Sequence, residues 1–368
     1  MGKIFMKKYM LLLFLFVIYN GLWAQVTVSG ILDSSVSMRA EVEDELSDSK
    51  FFCFIEEYAN IRFQARLKDK AAVYGAFNFI AAAGDYTTSQ TGAFISGENY
   101  IAAVELERLY FRLHGEYTDL DGGLFRLPFG YGQVFGPSDF LNPRNPLKPD
   151  ARLRGILGAA LSWYPVDTLK LLAFSAAPRN IFLKEIEGWL TGVSMDHHWD
   201  AASLQILYSF ETPKTGSEKG IHRIGLSVKA DIVIGFYLDA LYTYNHEAET
   251  EIDGLSISAG ADYSFLDGKM IVMCEYLYNG ETSSTALLYG GNLPYRHCIY
   301  TGLTWVINDF TSAGISLLTG IDDFFMTPII TFNHDLFQGA VLSITSQIPF
   351  DKDSFYGVNL TTRLRLRF

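Results

Sequence analysis

Cysteine is almost absent. The three in 368 residues, Cys53, Cys274 and Cys298, cannot build a disulfide framework, and no CxxC spacing or His-rich segment accompanies them to hold structural zinc. At most one bridge, Cys274 to Cys298, is conceivable, and two free thiols are the simpler reading. Charged residues make up only 19% of the chain and the net charge is −12, so no broad basic surface is available for nucleic acid. Helical periodicity is hard to find past the first two dozen residues. No later apolar run approaches the roughly 20 residues that a membrane-crossing helix needs. No metal site and no cofactor site is read.

What is abundant is aromatic and small: 28 Phe, 21 Tyr and 32 Gly, with 49% of residues hydrophobic. Aromatic residues suit a pleated surface with one apolar side. The N-terminus has the layout of an export signal. Lys3, Lys7 and Lys8 precede an apolar run from about Met10 to Ile18, and Ala24-Gln25 marks the expected cut, although Leu22 departs from the small-residue rule at −3. Residues 1–24 are therefore expected to be a signal peptide and residues 25–368 one mature domain, whose formal charge falls from −12 to −15 once the three lysines leave.

An exported chain this apolar, without a spanning helix, must spread its hydrophobicity over one face of its strands, and period-two alternation does that. Ala59, Ile61, Phe63, Ala65 and Leu67 alternate with Tyr58, Asn60, Arg62, Gln64, Arg66 and Lys68. The same pattern sets Leu204, Ile206 and Tyr208 against Ser203, Gln205 and Ser209, and Ile257, Ala259 and Ala261 against Ser256, Ser258 and Asp262. A soluble sandwich would show such strands too. The connections discriminate: tight polar turns (68–70, 115–118, 165–168, 198–200, 266–269, 308–310) alternate with long polar segments (39–53, 84–98, 130–151, 178–188, 212–220, 246–253, 280–295). Short-long alternation marks an up-and-down barrel with short periplasmic turns and long external loops. The expectation is an all-β, antiparallel transmembrane barrel of about 18 strands, with 16 as the alternative. Trp163-Tyr164, Trp199 and Tyr242–Tyr244 at strand ends fit aromatic girdles.

The C-terminal strand ends in Phe368, with Leu366, Leu364, Leu360, Val358 and Tyr356 at alternate positions before it. A terminal Phe on an alternating strand resembles the signal by which outer-membrane barrels are recognised for assembly. The chain thus resembles bacterial outer-membrane barrels of the porin kind, without matching one family closely. The resemblance implies an outer-membrane location, contact with lipid and with the barrel assembly machinery through Phe368, Leu366 and Leu364, and compatibility with a homo-oligomer.

The polar faces carry the candidate chemistry. Arg62, Arg66, Lys68, Arg108, Arg112, Arg126, Arg152, Arg154, Arg363, Arg365 and Arg367 fall on one contiguous arc of inner wall if the last strand pairs with the first. Such an arc raises the local concentration of anions; each arginine taken singly is as readily a rim residue binding lipid phosphate. Glu105 and Glu107 are out of parity with Arg108, as a bulge or a local ion pair would require. Residues 126–155 hold Gly130, Gly132 and Gly136 and an Asn-Pro-rich run. No Lys-Ser/Thr follows the glycines, so this is no phosphate-binding loop. Its position as third external loop resembles that of the loop that narrows general porins, with Asp139 and Asp150 as candidate acids facing the arginines; a loop packed on the rim is the competing reading.

Candidates for catalysis are His197-His198 with Asp196 and Asp200, His334-Asp335, and His246 among glutamates. None supplies a base with a convincing nucleophile. The sequence points to a passive channel for small polar solutes with a slight anion preference. The alternatives are a surface barrel whose loops bind other molecules, and a plugged, substrate-selective channel.

Overall fold

The computed structural model describes residues 25–41, 50–85, 93–142, 146, 155–177, 189–212, 220–245, 254–280, 296–322, 324–352 and 354–368. Among the described residues twenty strands occur in chain order: β1 (Gln25–Glu41), β2 (Lys50–Leu67), β3 (Ala71–Gly84), β4 (Ala93–Ser96), β5 (Tyr100–His114), β6 (Thr118–Phe125), β7 (Ile156–Val166), β8 (Leu169–Ala177), β9 (Leu190–His198), β10 (Ala202–Glu211), β11 (Ile221–Asp231), β12 (Gly235–Asn245), β13 (Leu255–Phe265), β14 (Met270–Asn279), β15 (His297–Asn308), β16 (Thr311–Gly320), β17 (Phe325–Phe337), β18 (Ala340–Gln347), β19 (Phe350–Asp351) and β20 (Val358–Arg367). The short β4 and β19 are additions on β5 and β17. The other 18 pair with their chain neighbours and close into an antiparallel barrel through β1 and β20. The strand number expected from turn spacing is therefore met.

Alternation fixes which face each strand shows. Ile206, Tyr208, Ile224, Leu226, Phe236 and Leu238 are exposed on the outside, whereas Gln205, Ser209, Ser227, Asp239, Ser258 and Glu275 are buried on the inside. A soluble protein would reverse this, and a lipid-facing barrel requires it. Exposed Tyr117, Trp163, Trp199, Trp305, Phe310 and Phe337 ring the end that carries the short turns. At the opposite end the long connections include the segment between β6 and β7.

The closing seam runs from Ile31 opposite Arg367 to Ala40 opposite Val358. At its end Gly30 and Phe368 exchange two backbone hydrogen bonds of 2.8 and 3.1 Å. The tip of the Phe368 ring sits over Gly30, where a Cβ would stand 2.3 Å from its Cζ. One turn of the pleat further on, the Arg365 guanidinium donates two parallel bonds, 2.8 and 2.9 Å, to the Asp33 carboxylate. Cys274 faces out and Cys298 in, opposite Thr301 and Leu277 respectively, and both are free thiols.

The seam makes a prediction. Gly30→Leu drives a side chain into the Phe368 ring, a clash worth ~1–3 kcal/mol by the usual cost of overpacking. The temperature at which the folded band converts on a semi-native gel should fall in Gly30→Leu, and Phe368→Ala in that background should lower it less than in the wild type. Additive losses would show that the two residues do not meet.

Candidate functional site: the lumen and its inserted loop

Residues 126–142 leave β6, turn into the barrel, and run along its inner wall across β7 to β15. The wall is built to receive them. Register sets Gln205 beside Ser227, Ser227 beside Asp239, Asp239 beside Ser258, Ser258 beside Leu277 and Leu277 beside Cys298, one lateral row across six strands. The loop follows that row. Gly130 N donates to Gln205 Oε1 at 2.7 Å, Tyr131 N and Gly132 N to the Asp239 carboxylate at 2.9 and 2.8 Å, and Val134 N and Phe135 N to Glu275 at 2.9 and 2.8 Å. Ser258 donates to Phe135 O at 3.2 Å, and Ser227 to Ser138 at 3.2 Å.

Asp239 and Glu275 are fully buried. An isolated carboxylate there is costly, and charge-assisted bonds from backbone amides are what offset it. The glycines permit the approach. Gly130 sits at φ +81, and a Cβ on it would stand 2.5 Å from Asp239 Oδ2. One on Gly132 would stand 1.8 Å from Phe135 O. The loop's alternate side chains Leu127 and Phe129 bury against Ile156, Ala160, Leu172, Phe174, Ala176, Leu190 and Leu207, an apolar patch on an inner wall. Phe135 fills a second such patch with Leu277, Cys298 and Leu318. Asp139, expected to face the arginines, is instead buried and accepts from Phe129 N at 3.3 Å and Asn142 Nδ2 at 3.5 Å, inside its own loop. Burial, and next the nearby Asp196, push the Tyr131 phenol up to about 12, so this loop side chain carries no charge at physiological pH.

The arginines lie on the opposite half. Arg62 and Arg66 project inward from β2, Arg108 and Arg112 from β5, and Arg363, Arg365 and Arg367 from β20; Arg126 follows β6. These strands are contiguous through β1 and β3. Lys68 sits in the β2–β3 turn with φ 50, at the mouth rather than on the wall. Arg152, Arg154 and Asp150 lie outside the described residues.

How these charges are partnered is not visible in the sequence pattern. Glu107 is the extra residue of a bulge opposite Ala76/Phe77 and turns inward beside Arg108. Its carboxylate takes Arg126 at 2.9 Å, Arg108 at 3.1 Å and Asn60 at 2.7 Å. Arg112 pairs with Asp121 at 2.6 Å. In each pair the cation is the partner that meets water: side-chain exposure is 27% against 3% for Arg108–Glu107, 35% against 14% for Arg112–Asp121, and 25% against 12% for Arg365–Asp33. Arg62 donates to Asn60 and is exposed. Burial lowers the Arg126 guanidinium from its ordinary value, which Glu107 opposes while Arg108 and Arg62 add to the lowering. Arg223, on the far wall, is held by Glu211 at 2.8 Å and lies over Phe140.

The pleat separates His197 from Asp196, and His198 bonds Ser203 at 2.9 Å in the β9–β10 hairpin. His197 meets the Trp199 ring edge-on outside, while Asp196 accepts from Gln205 inside.

Comparison with solved structures places the architecture. OccAB4 of Acinetobacter baumannii superposes with a TM-score of 0.62 at 11% identity, covering 95% of this chain and 99% of that one. The outer membrane protein OpdK of Pseudomonas aeruginosa gives 0.60 at 9% identity, with 94% and 98% covered. OpdQ of the same organism gives 0.58 at 11%, with 93% and 98% covered. This chain has the fold of an outer-membrane porin. No protein-family model matches it, and no curated protein does.

The anchors are testable. Asp239→Ala with Glu275→Ala leaves four loop amides without their acceptors, a loss of ~1–3 kcal/mol for each unsatisfied group. The double variant should become cleavable by protease within 126–142 while the barrel stays intact on a semi-native gel. Resistance equal to wild type would mean the apolar contacts alone hold the loop.

Proposed function

We propose that the chain is an outer-membrane channel for passive diffusion of small polar solutes, with a preference for anions, whose passage is narrowed by residues 126–142. The reading is carried by one observation: across from the inserted loop, inward guanidiniums are the exposed members of their ion pairs while the carboxylates are recessed. A field of that sign inside a low-dielectric tube favours anions. The shared fold with the outer-membrane porins supports the channel, and the described part of the loop covers the β7–β15 half of the wall, leaving the arginine half open. On the same reading residues 1–24 are a signal peptide removed on export, and Phe368, Leu366 and Leu364 present the closing strand to the assembly machinery.

A substrate-selective channel is the narrower version, favoured by the loop being pinned at both Asp239 and Glu275. The refolded protein in a planar bilayer under a potassium chloride gradient should give discrete steps and a reversal potential on the anion side. Arg62→Gln with Arg112→Gln should move that potential toward cations by several millivolts. An unchanged potential would remove the anion preference and leave the pore. A folded barrel with no steps would remove the channel.

A further inference from the structure

We propose that the arginine wall contains a binding recess for a compact oxyanion of the phosphate type, where β1, β2, β3 and β5 lie side by side; the proposal rests on reading the lumen as a solute path. The recess has a volume of about 160 Å³ and is lined by Thr27, Ser29, Arg62, Gln64, Tyr74 and Arg108, with Phe63 and Gly75 behind them. At ~30 Å³ per water that is room for roughly five waters.

Register explains why space exists there. Ser29 stands opposite Arg62 and Thr27 opposite Gln64. Arg62 stands opposite Ala76 across β2 and β3, and Ala76 stands opposite Arg108 across β3 and β5. Two guanidiniums therefore rise from strands about 10 Å apart with only a methyl group between them. An anion seated over Ala76 would be reached from both sides.

The chemistry of the lining selects the ligand. It offers two guanidiniums and the hydroxyls of Thr27 and Ser29, and contains no carboxylate. The Gln64 amide oxygen, turned toward Arg66, takes its guanidinium at 2.6 and 3.0 Å and the Tyr74 hydroxyl at 3.1 Å, holding the rim in place. Glu107, the neighbouring acid, is buried and already bonded to Arg108, Arg126 and Asn60. Arg62, Arg108 and Arg126 outnumber the two acids on this stretch of inner face, Glu105 and Glu107. Donors arriving from β1, β2 and β5 match an oxyanion with acceptors in several directions, whereas a planar carboxylate is satisfied by a single bidentate arginine.

The test is direct binding. Inorganic phosphate titrated calorimetrically into the detergent-folded protein, against a chloride background, should give saturable one-site binding that acetate does not reproduce. Arg62→Gln, at an exposed side chain, and Ser29→Ala should each weaken it, the first by tenfold or more. Absence of saturable binding, equal binding of acetate, or phosphate affinity unchanged in both variants would overturn the recess. Chloride conductance of the same preparation reports on the channel separately. A conducting barrel that fails to bind phosphate sinks only the recess; a silent barrel that binds it keeps the recess and sinks the channel.

Discussion

Every N–H and C=O along a strand in hydrocarbon must find a partner within the protein, and a sheet meets that demand only by having no edge. The rest of this structure depends on that closure. Once β20 lies against β1 from Ile31–Arg367 to Ala40–Val358, the parity of all 18 barrel strands is fixed, because a slip of one residue would turn the polar face of the closing strand to lipid. The Asp33–Arg365 pair can form only in the correct register, and so can the contact of Phe368 with Gly30. The seam thus carries its own register marks: an inward salt bridge and an outward ring on a glycine.

Closure creates a second problem, which the inserted loop solves. A barrel of this width is open, and a segment entering it brings backbone groups that water alone would otherwise have to satisfy. Here the wall supplies acceptors at the spacing the loop needs, Gln205, Asp239 and Glu275 on β10, β12 and β14, while the loop supplies the amides without which those buried acids would be intolerable. Those bonds make the inserted segment part of the wall, and the close approach ties Gly130 and Gly132 to their positions for a steric reason.

Strands were legible in the sequence where each face met one medium. Ala59 to Lys68, Ser203 to Tyr208, Leu255 to Phe265 and the run ending at Phe368 alternate cleanly because lipid lies on one side and the aqueous lumen on the other. The pattern blurs in β8, Leu-Lys-Leu-Leu-Ala-Phe-Ser-Ala-Ala, where Leu172, Phe174 and Ala176 point inward. Their neighbour is the loop, not water, so apolar residues stand on both faces and period two disappears. The loop's position as the third long connection could be counted, but its anchors could not be found locally. Asp239 and Glu275 are single acids in ordinary strand runs, and only the register brings them into adjacent inward rows beneath the loop. The parity break at Glu105–Glu107 did betray the bulge, since an extra residue is the one way for adjacent Glu107 and Arg108 both to face inward.

The arginine wall was legible as a list of cations but not as a field. Counted as charges, Arg112–Asp121 and Arg365–Asp33 are neutral, and an arc of neutral pairs would select nothing. Counted by position they are dipoles standing on the wall, carboxylate toward the strands and guanidinium toward the opening. The outer charge is nearer to a passing ion than the inner one, and the difference survives at distances shorter than the Debye length of about 8 Å at physiological salt. A narrowed passage keeps a solute within that range, and an open barrel of the same width would not. On the proposed reading the inserted loop and the paired arginines act as one device, the loop setting the distance at which the recessed acids stop cancelling the cations in front of them.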